Sequence, residues 1–154
     1  MLPKYSTVIA DTSCFILLDK IGKINLLQWI FKDVTTTPEI KAEFTKPLPE
    51  WVQIQPVHNR GYLNLLEMEI DRGEASAIAL ALENSQSLLI LDDQKARKAA
   101  ARLGLPYTGS LGIFLKAKEM GVIPSIRPLM DEIQKTNFRF SEKIVNDILA
   151  QANE

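Results

Sequence analysis

The chain has 154 residues, which suits one domain with a sizeable core, and 46% hydrophobic and 24% charged residues is ordinary globular composition. A formal net charge of −1 excludes a bulk positive field, so any binding of nucleic acid must come from a local basic patch or through a metal ion. The single cysteine, Cys14, excludes an internal disulfide and a cysteine-based zinc cluster.

The first half of the chain alternates short strands with amphipathic helices. The run T-V-I-A ends in Asp11 and reads as a strand buried on both faces. Two short helices separated by Gly22 follow it, and Thr37 and Pro38 begin a third as N-cap and first-turn residue. The strands predicted in this half cover residues 6–11, 34–36 and 51–57, the last as an edge strand with one solvated face.

The second half continues the alternation. A helix at 61–71 precedes a second helix rich in small residues, E-A-S-A-I-A-L-A-L-E. A buried strand at 87–91, a basic helix from Asp93 to Leu103, a short strand at 107–108 and a helix opened by G-S-L-G then follow. We therefore predict an α/β fold with a central parallel sheet of four or five strands. The prediction is a single domain over 1–154, with a helical C-terminal segment from about 123.

Acidic side chains stand at the ends of the two buried strands and on two of the helices. Asp11 ends the first strand, and Asp92 and Asp93 end the later one. Glu43 lies on the helix P-E-I-K-A-E-F, and Glu74 opens the small-residue helix. Because ligands of open α/β sheets bind outside the carboxyl ends of the strands, we expect these carboxylates to converge there.

Each acid also has a purely structural interpretation. Asp11 and Asp93 can be N-caps, Glu74 can complement a helix dipole, and Glu43 can be a solvated helix acid. Asp11 favours a functional role most, because an unpaired charge between an apolar strand and an apolar helix is costly. The set of acids is more informative than any single member.

Convergent carboxylates narrow the chemistry that the chain can perform. Oxygen ligands without histidine or cysteine suit Mg²⁺ or Mn²⁺ and not zinc. Such ions can activate water and stabilise a leaving oxygen in phosphodiester hydrolysis, with a carboxylate as general base. Thr12 and Ser13 could support the site by contacting metal-bound water or phosphate, or could simply cap the helix.

The helix after Asp93 carries a basic stripe. Lys95, Lys98 and Arg102 share one face, with Arg97 alongside, and could bind a polynucleotide backbone or form a solvated helix face. Two other polar residues are weaker candidates for a functional site. His58 reads as a loop residue at the surface, and Ser110 as the N-cap of its helix.

Taken in order, these segments resemble the PIN domain family, and more narrowly the PIN-like proteins close to the VapC-type toxins. The matching stretches are V-I-A-D-T-S, P-E-I-K-A-E-F, G-E-A-S-A-I-A-L-A, L-L-I-L-D-D-Q-K-A-R and T-G-S-L-G. The similarity runs from Thr7 to about Phe138. It implies a three-layer α/β/α sandwich and a metal-dependent ribonuclease with three or four acids.

Carried over by motif, the resemblance makes Asp11, Glu43 and Glu74 the first three acids. Many toxins have aspartate at the third position, where Glu74 has a longer reach. The fourth acid would be Asp93 or Asp92, and the family pattern favours Asp93 because its following apolar position falls on Ala96. Metal ligands are then expected among Asp11, Glu74, Asp92 and Asp93. The resemblance also implies a homodimer and, in toxin members, an antitoxin partner.

The resulting hypothesis is a cytoplasmic endoribonuclease dependent on Mg²⁺ or Mn²⁺, with RNA as substrate and the toxin of a toxin–antitoxin pair as one role. Two alternatives stay open: a PIN-like module with a degraded site that binds RNA or protein, and a phosphohydrolase acting on a small nucleotide. No apolar run has membrane-spanning length, and Asp11 interrupts the apolar segment nearest the N-terminus, so neither a membrane span nor a signal peptide is expected.

Overall fold

A computed structural model describes residues 5–154, and its centre is one parallel sheet. Each strand is formed by a stretch rich in apolar, aromatic or β-branched residues, whose side chains pack well on a pleated surface. The strands are β1 (Thr7–Ala10), β2 (Val34–Thr36), β3 (Val52–Ile54), β4 (Ser87–Ile90) and β5 (Tyr107–Thr108). The prediction of a parallel sheet with four or five strands is therefore confirmed.

The strand order is β3-β2-β1-β4-β5, and this order positions the functional site. The register pairs Thr7 with Ser87 and Ala10 with Ile90, so β1 and β4 end at the same level. One residue further, the Asp11 N–H still donates to the Ile90 carbonyl at 3.3 Å. The acids that follow the two strands in sequence consequently lie at one edge of the sheet.

Nine helices connect and cover the strands in the part of the chain that the structure describes. In one group α1 contacts α3, and α5 contacts α3, α4 and α6; in a second group α7 contacts α2 and α9. With helices flanking the sheet, the fold is the expected α/β/α sandwich. The helices are α1 (Thr12–Lys20), α2 (Leu26–Phe31), α3 (Pro38–Phe44), α4 (Arg60–Leu66), α5 (Arg72–Glu83), α6 (Gln94–Arg102), α7 (Ser110–Glu119), α8 (Arg127–Gln134) and α9 (Glu142–Gln151).

Helix α5 lies at the centre of the first group. It contacts α3, α4 and α6, together with β1 and β4, and every residue from Gly73 to Ala81 is buried. Its small side chains permit this close approach on several sides at once, because large ones would keep the neighbouring elements apart. The start of α5 is thereby held firmly at the edge where β1 and β4 end.

The structure corrects one predicted boundary that bears on the site. The helix expected at 61–71 ends at Leu66, and a separate turn leads to Asp71. The Asp71 side chain accepts a hydrogen bond from the Glu74 N–H at 2.9 Å, so Asp71 is the N-cap of α5 and not the end of α4. Over residues 5–154, no helix combines the length and the apolar character that crossing a membrane requires.

Candidate active site at the carboxyl edge of the sheet

Asp11 is the most buried of the predicted acids, with 3% of its surface exposed. It follows β1 directly and is the N-cap of α1. Its Oδ1 accepts from the Thr12 N–H at 2.7 Å, and its Oδ2 accepts from the Ser13 hydroxyl at 3.5 Å. The capping role considered for Asp11 is thus real, and it leaves the carboxylate facing other acids.

Glu43 is brought to Asp11 by contacts with two different helices. The Thr12 hydroxyl on α1 donates to Glu43 Oε1 at 3.0 Å. On the other side, a Cβ added to Gly73 would lie 1.7 Å from the same oxygen, so the backbone of α5 approaches this carboxylate closely. Thr12 therefore acts as a link from α1 to α3, and Gly73 provides the space into which Glu43 points.

Glu74 lies in the first turn of α5, where it is buried with 8% exposure. Its nearest acidic neighbour is Asp71, whose side chain also caps the helix. Sequence reasoning missed Asp71. The signal was present, because an Asx residue three positions before a glutamate at a helix start is the pattern of an N-terminal cap.

Asp92 is held by the start of α7. Its Oδ1 accepts from the Ser110 N–H at 2.8 Å and its Oδ2 accepts from the Ser110 hydroxyl at 2.6 Å. Ser110 was expected to be an N-cap, but the N-cap of α7 is Gly109, and the hydroxyl of Ser110 instead binds Asp92. Both oxygens of Asp92 are therefore engaged within the protein.

Arg97 brings a positive charge to this side of the site. Its Nε donates to the Leu91 carbonyl at 2.7 Å, and its Nη2 lies 4.0 Å from Asp92 Oδ1. The guanidinium also lies 5.4 Å from the centre of the Tyr107 ring, in cation–π distance. Arg97 thus turns back toward the ends of β4 and β5, whereas the sequence placed it alongside the basic stripe.

Asp93 differs from Asp92 in how its oxygens are used. As the N-cap of α6, Asp93 accepts through Oδ2 from the Ala96 N–H at 3.0 Å. The other oxygen accepts no protein hydrogen bond within residues 5–154, and the residue is exposed. One oxygen of Asp93 is therefore wholly available to a ligand, whereas each oxygen of Asp92 already accepts one hydrogen bond from Ser110.

The predicted basic stripe is only partly available. Lys95 and Lys98 are exposed on α6, near the acids, and form no ion pair within the described residues. Arg102, at the far end of the helix, is paired with Glu69. The positive charge close to the acids thus comes from the first half of α6.

The carboxylates act on one another electrostatically, which shows that they converge. They form the acid cluster, which consists of Asp11, Glu43, Asp71, Glu74, Asp92 and Asp93. Burial, the largest cause, and the charges of Asp71, Glu43 and Asp92 together raise the pKa of Asp11 to about 7, against the opposing effect of the hydrogen bond from the Thr12 N–H. Burial and the charges of Asp71, Asp11 and Asp93 likewise raise the pKa of Glu74, to about 8.

The Glu43 pKa is also raised, first by burial and then by the charge of Asp71, while the hydrogen bond from Thr12 opposes the shift. Clusters of carboxylates with raised pKa values are typical of functional sites, because a merely structural cluster would pair its charges. The cluster is therefore a strong acceptor for positive charge.

The donor set of the cluster fits a hard divalent cation. Every group in it is a carboxylate, neighbouring hydroxyls come from Thr12 and Ser13, and Cys14 is buried behind them. Such oxygen donors are those of Mg²⁺ and Mn²⁺ sites. As they stand, no three of these side chains within residues 5–154 are arranged to hold an ion together.

The fold and the site define an α/β protein with a cluster of acidic side chains at the carboxyl edge of a parallel sheet. Comparison with family models places the chain more narrowly: the model described as a PIN domain matches residues 7–154. The chain belongs to the PIN domain family, whose members are generally nucleases. No curated protein and no solved structure matches the chain.

Proposed function

We propose that the protein is a metal-dependent endoribonuclease that hydrolyses phosphodiester bonds of RNA. The acid cluster carries the proposal, since six carboxylates come together at the carboxyl edge of the sheet in a nuclease-like fold, and burial raises the pKa of three of them, Asp11, Glu43 and Glu74. Mg²⁺ or Mn²⁺ would supply charge neutralisation and a polarised water there. The whole chain would act as one domain.

In this proposal Asp11, Glu43, Glu74 and Asp93 are the catalytic acids. Asp93 is preferred to Asp92 as a ligand because one of its oxygens is free, whereas Ser110 engages both oxygens of Asp92. Asp92 would support the metal site by holding the start of α7 at its edge. Glu74 has a pKa of about 8 in the absence of a metal ion, and a bound cation would favour its ionised form, which suits a metal ligand or a general base.

RNA would enter over α6. Lys95 and Lys98 are exposed beside the acids and would contact phosphates, while Arg102 would first have to leave Glu69. A backbone contact of this kind suits a polymer better than a free nucleotide, because successive phosphates extend along a helix face.

The direct test is cleavage of a labelled single-stranded RNA by the purified protein in Mn²⁺. We expect cleavage that stops on chelation and falls at least 100-fold in Asp11→Asn, with Asp131→Asn on the exposed face of α8 as the control. Binding without metal-dependent cleavage would instead indicate the degraded binding module. Equal cleavage by Asp11→Asn would reject the assignment of the site.

We also propose the toxin role, on the resemblance to VapC-type proteins and not on any contact in the structure. It requires an antitoxin partner and is compatible with a homodimer. The test is growth of cells that express the protein. Arrest by the wild type and normal growth with Asp11→Asn, at equal protein levels, is the expected result. Normal growth with both would reject the toxin role and leave the ribonuclease activity to be judged in vitro.

A further inference from the structure

A cavity of about 460 Å³ opens beside the acid cluster. Unlike the cluster, it is lined by apolar and basic side chains as well as acidic ones. Its walls are formed by Pro38, Glu39, Ala42, Glu43 and Arg72. Glu43 belongs to both the cavity and the cluster, so the cavity adjoins the place where an RNA strand held at the acids would lie. Pro38 and Ala42 lie one helical turn apart and form an apolar wall on α3.

Glu39 is the unusual group in this cavity. Its Oε2 forms ion pairs with two guanidinium groups, with Arg60 Nη2 at 3.4 Å and with Arg72 Nη2 at 3.8 Å. Its Oε1 is buried, and no donor within residues 5–154 bonds to it. An unbonded buried carboxylate oxygen is costly, so a donor supplied by a ligand would stabilise this arrangement. Glu39 lines the cavity, and because the last torsion of a glutamate side chain is soft, a rotation of the carboxylate would bring an oxygen to a donor bound there.

The chemistry of the lining indicates the kind of ligand. A carboxylate only accepts hydrogen bonds, so Glu39 disfavours a phosphate and requires an N–H or O–H donor. Arg72 is half exposed at the rim, and a guanidinium plane is a surface on which unpaired bases stack. An apolar wall, a guanidinium and an acceptor together suit a nucleobase taken from a single strand.

We propose that this cavity binds the base of the nucleotide next to the cleaved bond, and that Glu39 selects bases that carry an amino group. The inference rests on the proposed function, because it takes RNA to be the ligand of the acid cluster. Uracil presents a carbonyl oxygen where cytosine presents its amino group, and two facing acceptors repel. Glu39 is thus a specificity-determining residue.

The test compares two RNA octamers that differ only in the amino group: octaadenylate and the same chain built from purine riboside. Affinities are measured by fluorescence anisotropy with the full chain carrying Asp11→Asn, in Ca²⁺, so that no cleavage interferes. One hydrogen bond to a charged acceptor predicts about tenfold tighter binding of octaadenylate. Equal affinity for the two octamers, or binding of neither, overturns the proposal. This comparison needs no substitution of Glu39.

Glu39→Gln, added to the same chain, is expected to reduce the preference to less than about twofold, because the amide is a weaker acceptor. Glu67→Gln is the matched control, since Glu67 also pairs with Arg72 but does not line the cavity. The control should keep the tenfold preference. Retention of the preference in Glu39→Gln, or its loss in both variants, overturns the role of Glu39. Cleavage by the wild type together with unselective binding would leave the ribonuclease proposal intact.

Discussion

Glu43 shows how much of this site depends on single contacts. The carboxylate is placed by the Thr12 hydroxyl at one end and by the absence of a side chain at Gly73 at the other. Neither neighbour is close to Glu43 in sequence. A helix acid that periodicity would assign to solvent is thereby turned into a member of the acid cluster.

Gly73→Ala should weaken the metal site without destabilising the fold. The added Cβ would meet Glu43 Oε1 at 1.7 Å and displace the carboxylate, while alanine favours the helix by about 1 kcal/mol over glycine. We expect Mn²⁺ affinity, measured by calorimetry, to fall about tenfold with no loss of thermal stability.

Gly61→Ala is the matched control, because Gly61 also follows an arginine at the second position of its helix. Its added Cβ would lie 3.1 Å from the Asn59 side chain and far from the acids. Unchanged Mn²⁺ affinity in Gly73→Ala would show that Glu43 does not contribute to metal binding.

At the scale of elements, α5 decides where the acids meet. Its Asp71 cap and first turn supply two members of the acid cluster, and its alanines allow packing against three helices and two strands. The strand ends supply three more acids through the pairing of β1 with β4. The site is therefore assembled from the ends of packed elements, and it depends on their close approach.

Ala79→Leu tests this dependence on packing. Ala79 is fully buried on α5, and the larger side chain has no space, so we expect a loss of about 1–3 kcal/mol in the free energy of unfolding. Urea denaturation measures the loss. Ala101→Leu on the exposed part of α6 should change this free energy by less than about 0.5 kcal/mol. A similarly small change in Ala79→Leu would contradict the tight packing of α5.

The acid cluster lowers the stability of the whole molecule when its carboxylates are ionised. In the folded state the pKa of Asp11 is about 7 and that of Glu74 is about 8. In the unfolded chain both side chains have ordinary pKa values near 4. Between these limits the folded state binds more protons than the unfolded state, so stability falls as pH rises. Glu154 has a lowered pKa and acts in the opposite sense, but its contribution changes only at lower pH.

Metal-free protein should therefore be less stable at pH 8 than at pH 5. For Asp11 alone the shift from 3.8 to about 7 corresponds to on the order of 4 kcal/mol in full, and roughly 3 kcal/mol of it is lost between pH 5 and pH 8, because the rest is lost below pH 5. Urea unfolding in EDTA at the two pH values measures the difference, and Mn²⁺ should restore stability chiefly at pH 8, where the ligands are ionised.

Asp11→Asn should flatten this pH dependence and remove most of the stabilisation by Mn²⁺, because it deletes the most buried charge of the cluster. Stability of the metal-free wild type that rises from pH 5 to pH 8 would contradict the raised pKa values. The comparison needs no RNA, so it tests the electrostatics of the cluster independently of catalysis.

The sequence by itself determined the class of fold and most of the acids. Short continuous apolar runs favour strands covered on both faces, and the acid after such a strand lies at the carboxyl edge of a parallel sheet. Motif order also sufficed to indicate the PIN domain family, which the family comparison confirmed for residues 7–154. These features are local or periodic, and they can be read without knowing any contact.

How the acids are used depends on contacts between elements that are distant in sequence. The tertiary structure brought Asp71 into the cluster, engaged both oxygens of Asp92 at Ser110, turned Arg97 toward Tyr107, and left one oxygen of Asp93 free. These outcomes depend on which donors meet each carboxylate across the packed ends of distant elements. Sequence spacing does not contain that information, because the helix boundaries and the close approach of α5 set those distances.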